Sequence, residues 1–187
     1  PLATGLLPIC LGEATKFSHL LLDADKSYVA TIRLGITTRT GDLEGEVTGR
    51  SEARVNREDV ERALKSFLGE IEQTPPMYSA LKRDGQPLYK LARSGVEVPR
   101  APRRIVIRAL ELRAYEGHEI GLLVTCSKGT YVRVLAEDLG RMLGCGACLA
   151  ALRREGVGNF GLESGAVTLD RLERMVPAER DAQLLAE

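Results

Sequence analysis

The chain has 187 residues, with 26 Lys+Arg balanced by 26 Asp+Glu, five Tyr, three Phe and no Trp. Its 44% hydrophobic and 28% charged residues describe a soluble globular protein of one ordinary domain or two small ones, and exclude a disordered chain. No apolar run approaches the ~20 residues of a membrane helix, because Pro8, Gly12 and Glu13 interrupt the best candidate, and no export signal is legible, so a cytoplasmic protein away from membranes is expected.

Taken in order, Gly12 to Leu22 reads as a helix, and Lys26 to Leu34 as a strand with Tyr28, Ala30, Ile32 and Leu34 on one face. Gly35 to Gly45 is turn-rich, too polar and glycine-rich for an interior element, and such a loop is a natural place for function. Asn56 to Gly69 carries the clearest helical pattern. Asn56 is placed as N-cap, Asp59 stands at the capping-box position, Val60, Ala63, Leu64 and Phe67 form one apolar face, and Gly69 is the stop.

Pro75-Pro76 then opens an irregular excursion. From residue 76 to 104, Lys82, Arg83, Lys90, Arg93, Arg100, Arg103 and Arg104 outweigh Asp84 and Glu97 by +5, leaving −5 for the remainder of a neutral chain. A segment this basic can hold a phosphate backbone locally, or it can be a solvated polar insertion. Strand patterning resumes at Ile105, changes phase near Ala109 as a bulge would, and turns at Glu116 to Glu119 into a second strand, Ile120 to Cys126. Thr130 is placed to cap a helix that reaches Leu143 and stops at Gly144, and a late helix spans Leu169 to Met175. Helices mixed with antiparallel hairpins predict an α+β fold.

The chemistry is sparse at motif level. Phosphate-binding glycine loops, zinc-protease helices and nucleophile elbows are absent. Cys145-Gly-Ala-Cys148 has no second pair and no nearby His, so neither a metal site nor a thiol redox centre is favoured over close packing of small residues. Arg133 is physically odd, because a cation in the first turn of a helix opposes the macrodipole. Either its stem carries the charge out to water, or an anion faces it. Tyr28 and Tyr131 read as half-buried aromatics unless they line a cleft, where a ring could stack on a base. Asp42 reads as a turn former.

Several blocks together resemble a known family. Pro1-Leu-Ala-Thr-Gly-Leu-Leu-Pro, Asp25-Lys-Ser-Tyr28, Thr40-Gly-Asp-Leu-Glu-Gly45, Pro76-Met-Tyr-Ser-Ala-Leu-Lys82, Cys126-Ser-Lys-Gly-Thr-Tyr-Val-Arg133, Asp138-Leu-Gly140 and Leu152-Arg-Arg154 follow, in order, the pattern of bacterial tRNA pseudouridine synthases of the TruB type. The resemblance implies a pseudouridine synthase fold, α+β with a mixed, mainly antiparallel central sheet flanked by helices. It implies isomerisation of uridine 55 in the T arm of tRNA to pseudouridine, without cofactor or metal, by a monomer whose partner is the T stem-loop.

The family's catalytic aspartate directly precedes the proline of its D-P-x-A-T-G motif, which here is Pro1, so the chain as it stands is expected to be an N-terminally truncated, inactive catalytic domain without a C-terminal PUA domain. By resemblance, Arg133 would pair with that aspartate, Tyr28 would stack on the target base, Tyr131 and Leu152 would contact the flipped nucleotide, and Asp42 would engage the RNA from its loop. The stretch at about 76–104 resembles the family's RNA-binding insertion, with Lys16, Lys82, Arg83, Lys90 and Arg93 as the phosphate-facing cations. One departure is Thr38-Arg39-Thr40, where the family often has an acid in the middle. The alternative for this sequence is a non-catalytic RNA-binding or RNA-remodelling module.

Overall fold

The computed structural model describes residues 2–52, 54–163 and 165–184. In chain order the elements are β1 (Ala3–Gly5), a 3-10 turn (Gly12–Phe17), α1 (Ser18–Asp23), β2 (Lys26–Leu34), β3 (Ile36–Thr38), β4 (Val47–Arg50), α2 (Arg57–Lys65) and β5 (Gly69–Gln73). They continue with β6 (Lys82–Arg83), β7 (Gln86–Pro87), α3 (Leu88–Arg93), β8 (Arg103–Tyr115), β9 (Glu119–Cys126), α4 (Val132–Met142), β10 (Ala147–Val157), β11 (Phe160–Gly161), α5 (Leu169–Arg174) and α6 (Pro177–Asp181). Pro1 and Glu187, where the truncation and the missing PUA domain were expected, lie outside the described residues.

The main sheet runs β1-β10-β2-β9-β8-β5, with β11 paired on β10; β1 is parallel to β10 and the remaining pairings are antiparallel. This is the α+β order expected from the sequence. Alternation explains its middle: Ala30, Ile32 and Leu34 of β2 and Ile120, Leu122, Val124 and Cys126 of β9 are all buried. The phase change near Ala109 is a register shift between Ile107 and Ala109.

Helix α4 closes the core. Val132, Leu135, Ala136 and Leu139 pack with Ala30, Ile32, Leu122, Val124 and Leu149, the Val, Leu and Ile side chains each contributing on the order of 1.5–3 kcal/mol when fully buried. After α4 the chain doubles back through Gly144 and Gly146, both at positive φ, into β10. Gly140 makes that return possible, because a Cβ there would come within 2.2 Å of the Ala147 nitrogen. The C-x-x-C lies in this close-packed return. Burial raises the Cys148 thiol pKa and pushes Cys126 up to about 11, which leaves both protonated and unreactive at neutral pH.

Several expectations are corrected. Thr130 does not cap α4; its hydroxyl donates to the Ser127 carbonyl, and the N-cap is Tyr131, whose side chain makes no capping bond. The helix after Asn56 ends at Lys65, and Gly69, at φ 90, instead opens β5. Gly12 to Leu22 is a 3-10 turn leading into a short α-helix. Gly35 to Gly45 is partly interior: Ile36–Thr38 pairs with β4, Leu149 donates its N–H to the Gly41 carbonyl at 2.9 Å, and Gly41 and Asp42 are buried. The excursion after Pro76 is ordered too, as the β6–β7 hairpin turning on Asp84-Gly85, followed by α3.

Candidate active site

Arg133 is the second residue of α4 and reaches across to two other segments. Its Nη1 donates to the Thr40 carbonyl and to Asp42 Oδ2, both at 3.1 Å, and its Nη2 donates to the Tyr78 carbonyl at 2.7 Å. The resemblance left its anion outside the chain, yet the structure supplies one within it. Asp42 is 6% exposed, and its other carboxylate oxygen accepts from the Thr40 hydroxyl at 2.6 Å. Both charges are thus paired and hydrogen-bonded, which is the condition for keeping an ion pair out of water. Of the guanidinium's five N–H donors, Nε–H and one on Nη2 have no partner among the described residues.

Asp42 is therefore more than a turn former. It is bridged to Leu149 of β10, its main-chain oxygen accepts from the Thr38 hydroxyl at 2.7 Å, and Gly41 beside it holds φ 76, strained for any residue with a side chain, with the Glu137 carboxylate 3.0 Å from where a Cβ would lie. Glu137, one helical turn beyond Arg133, is half-buried there. Desolvation raises its carboxyl pKa first, Asp138 adds to that, and Arg141 and Arg133 oppose it.

Tyr28 and Leu152 share a sheet face. Leu152 pairs with Ala30 and Arg154 with Tyr28 across the β2–β10 ladder, so these four side chains lie on the face that α4 covers. That end of β2 lies beside the end of β9 from which the chain turns into α4. Burial raises the Tyr28 phenol pKa, Cys126 adds to this and Arg154 opposes it, so the hydroxyl is neutral in the physiological range. Tyr28 and Leu152 both pack against the core. Tyr28 has Arg154, not Arg133, as its nearby cation.

Tyr131 is fixed by a residue that sequence reasoning missed. Gln73, at the end of β5 and 3% exposed, accepts from the Tyr131 N–H at 2.8 Å and donates to the Tyr131 carbonyl at 3.1 Å. No local pattern marks it, because the partners are 58 residues apart. Arg154 was also missed as a site residue. Its Nε donates to the Leu6 carbonyl at 2.6 Å, while Leu6 N–H returns a bond to the Arg154 carbonyl, which pins the segment after β1 beside Tyr28.

The expected RNA-facing cations divide into two groups. Lys82, Arg83, Lys90 and Arg93 are all exposed on the hairpin and helix of the insertion; Arg83 donates to the Pro99 carbonyl and Arg93 lies 5.6 Å over the Tyr89 ring. Lys16 stands apart in the 3-10 turn, paired with Glu13. A cleft of about 780 Å³ opens between the base of the insertion, Thr40 and the outer face of α4; Arg39, Arg100, Tyr78 and Glu137 line it, and Tyr28, Tyr131 and Leu152 do not. Among the described residues no group of three His, Cys, Asp or Glu could hold a metal ion, and no helix is long and apolar enough to cross a membrane.

Comparison with known proteins gives this geometry a family. The family model for the TruB family pseudouridylate synthase N-terminal domain matches residues 1–132, and that for the tRNA pseudouridylate synthase B C-terminal domain matches 133–187. The two meet at the start of α4, between Val132 and Arg133, and residues of both matches share one core. The tRNA pseudouridine synthase B of Methylobacillus flagellatus is 56% identical over 185 residues, covering 99% of this chain and 61% of that protein. Its counterpart in Stutzerimonas stutzeri is 61% identical over 175 residues, covering 94% and 57%. The chain thus spans about three-fifths of the length of these curated relatives.

Among solved structures, the crystal structure of a Cbf5–Nop10–Gar1 complex matches at 30% identity with a TM-score of 0.68, over 91% of this chain and 41% of that one. The structure of an H/ACA RNP bound to a substrate RNA containing 2'-deoxyuridine matches at 25% identity and a TM-score of 0.65, over 91% and 40%. The fold is that of the pseudouridine synthases, a mixed and mainly antiparallel sheet with flanking helices. Within that class the chain belongs to the TruB family of pseudouridylate synthases.

Proposed function

We propose that this chain is the base-handling body of a tRNA pseudouridine synthase that isomerises uridine 55 in the T arm, acting as a monomer and without a cofactor. The observation that carries the reading is the Arg133 guanidinium. It is held by Asp42, Thr40 and Tyr78 from two separate segments, yet it keeps Nε–H and one Nη2–H for a further anion. The family motif puts the reacting aspartate immediately before Pro1. A guanidinium beside that carboxylate keeps it ionised at neutral pH.

The reaction requires a stacked base to be extruded, at a cost of a few kcal/mol, and enclosed. In this reading the Tyr28 ring, with its hydroxyl kept neutral by burial, stacks on the extruded uracil. Leu152, on the same face, and Tyr131, at the start of α4, complete the wall that keeps water from the detached base. The aspartate assists cleavage of the N-glycosidic bond, by attack on the sugar or by removal of a sugar proton; the sugar–carbon 5 bond then forms as the bond to the aspartate breaks or the sugar proton returns, and carbon 5 gives up its proton while N1 gains one. Asp42 holds Arg133 before RNA arrives and contacts the RNA once the base is out. The segment at about 76–104 is the RNA-binding insertion of this catalytic domain, with Lys82, Arg83, Lys90 and Arg93 on phosphates and Lys16 on the flanking surface.

The experiment is pseudouridine mapping on a T-arm stem-loop incubated with the intact protein that contains this chain. Pseudouridine at the single target uridine is expected. RNA bound with no pseudouridine formed would favour a non-catalytic RNA-binding module, and RNA neither bound nor modified would overturn both readings.

A further inference from the structure

We infer that Gln73 is a positioning residue of this site: its side-chain amide sets the backbone of Tyr131, and through it the aim of the Tyr131 ring and of Arg133. The inference rests on the RNA-modifying reading above. A buried primary amide is costly unless satisfied, and this one is satisfied by a single residue, Tyr131, through both its N–H and its carbonyl. The two bonds fix which end of the amide is oxygen, since only one orientation can accept from the N–H and donate to the carbonyl. They also hold Tyr131 in an extended conformation, φ −105 and ψ 106, at the point where α4 begins.

That point has no side-chain cap of its own. The N-cap makes no side-chain capping bond, although the Tyr131 carbonyl also accepts the first helical bond, from Leu135 N–H at 3.1 Å. Gln73 therefore supplies the bond to the N-cap residue's own N–H that an N3 side chain makes in a capping box, and it does so from the strand that leads directly into the basic insertion. Two residues after Gln73, the Pro75 carbonyl accepts from Arg100 at the far end of that insertion. Arg133 grips the Tyr78 carbonyl of the same segment. The base of the insertion and the start of α4 are thus joined twice, once through Gln73 and once through Arg133.

The test uses Gln73→Glu and Gln73→Met in the intact protein, with single-turnover pseudouridine formation and T-arm RNA affinity measured from pH 6 to 8.5. A protonated glutamic acid reproduces glutamine's pattern of one acceptor and one donor, whereas the ionised form points lone pairs at the Tyr131 carbonyl. The expected result is a Gln73→Glu rate within ~3-fold of wild type at pH 6 and roughly tenfold or more below it at pH 8.5, with Gln73→Met down by a similar factor throughout and RNA affinity within ~2-fold for both. Amide hydrogen exchange at Tyr131 to Arg133 should quicken in Gln73→Met. A Gln73→Glu loss that does not vary with pH, or losses that appear in affinity rather than rate, would overturn the inference. If wild type forms no pseudouridine, the functional reading fails by itself, and unchanged exchange at Tyr131 would still refute the clamp.

Discussion

Arginine and lysine are used in opposite ways in two parts of this molecule. Beside α4 and β10, Arg133 and Arg154 turn their guanidiniums onto main-chain carbonyls, and Arg133 also onto a buried carboxylate, so each is held in one geometry. On the insertion, Lys82, Arg83, Lys90 and Arg93 are exposed on a short hairpin and a short helix; Lys82, Lys90 and Arg93 form no salt bridge among the described residues, while Arg83 is tied to the Pro99 carbonyl and to Asp84. A fixed cation suits a reacting or positioning group, because it meets its anion without reorganising. A free cation suits a phosphate backbone, which offers many equivalent partners and rewards counterion release. On the proposed function, the same chemistry separates into a rate task and an affinity task.

The largest expected effect comes from breaking the first half of this comparison. Arg133→Ala should lower single-turnover pseudouridine formation on the order of 10²-fold or more while T-arm affinity stays within ~3-fold. It should also lower stability by ~2–3 kcal/mol in denaturant unfolding, because Asp42 is left buried without its cation. The second half is sharpened by replacing Lys82, Arg83, Lys90 and Arg93 together with Ala. The magnitude of the slope of log affinity against log salt should drop by up to ~3 units while the rate at saturating RNA is retained.

Smaller effects test the interior itself. At pH 8, alkylation mapped by mass spectrometry should label Cys10 rapidly and spare Cys126 and Cys148, whose thiols burial keeps protonated, until the protein is unfolded. Glu137→Gln should stabilise slightly. Burial raises the folded-state pKa of this carboxyl, so the penalty for its charge is absent below the unfolded-state pKa and sets in as pH rises through the folded one. The gain should therefore stay under ~1 kcal/mol at pH 8 after solvent screening and vanish near pH 4 in thermal melts.

What was legible in the sequence follows from locality. β2, β9 and α2 keep one clean apolar face each, so alternation or helical spacing revealed them. β10 did not show as a strand. Its register shifts at Leu149/Ala151 and Arg154/Gly156 break the period of two, and its first half is Cys, Leu and Ala, which suit a helix as well. β5, a polar edge strand of Gly, Glu, Ile, Glu and Gln, was hidden for the complementary reason.

The site divides in the same way. The helix dipole left Arg133 either reaching water or facing an anion; the anion, Asp42, lies 91 residues away, and the bridge between Asp42 and Leu149 brings its loop inside. Motif resemblance singled out Tyr28, Tyr131 and Leu152 residue by residue. Gln73 and Arg154 act through main-chain partners, which leave no mark on side-chain patterns.

The separation of tasks is tested most directly by combining Arg133→Ala with the four-residue insertion variant and measuring rate at saturation and RNA affinity in one titration. Independent tasks give the combined protein the rate of Arg133→Ala and the affinity of the insertion variant, each within ~2-fold. A combined rate differing from Arg133→Ala by tenfold or more would show that the insertion's exposed cations act in the chemical step, and would contradict the division.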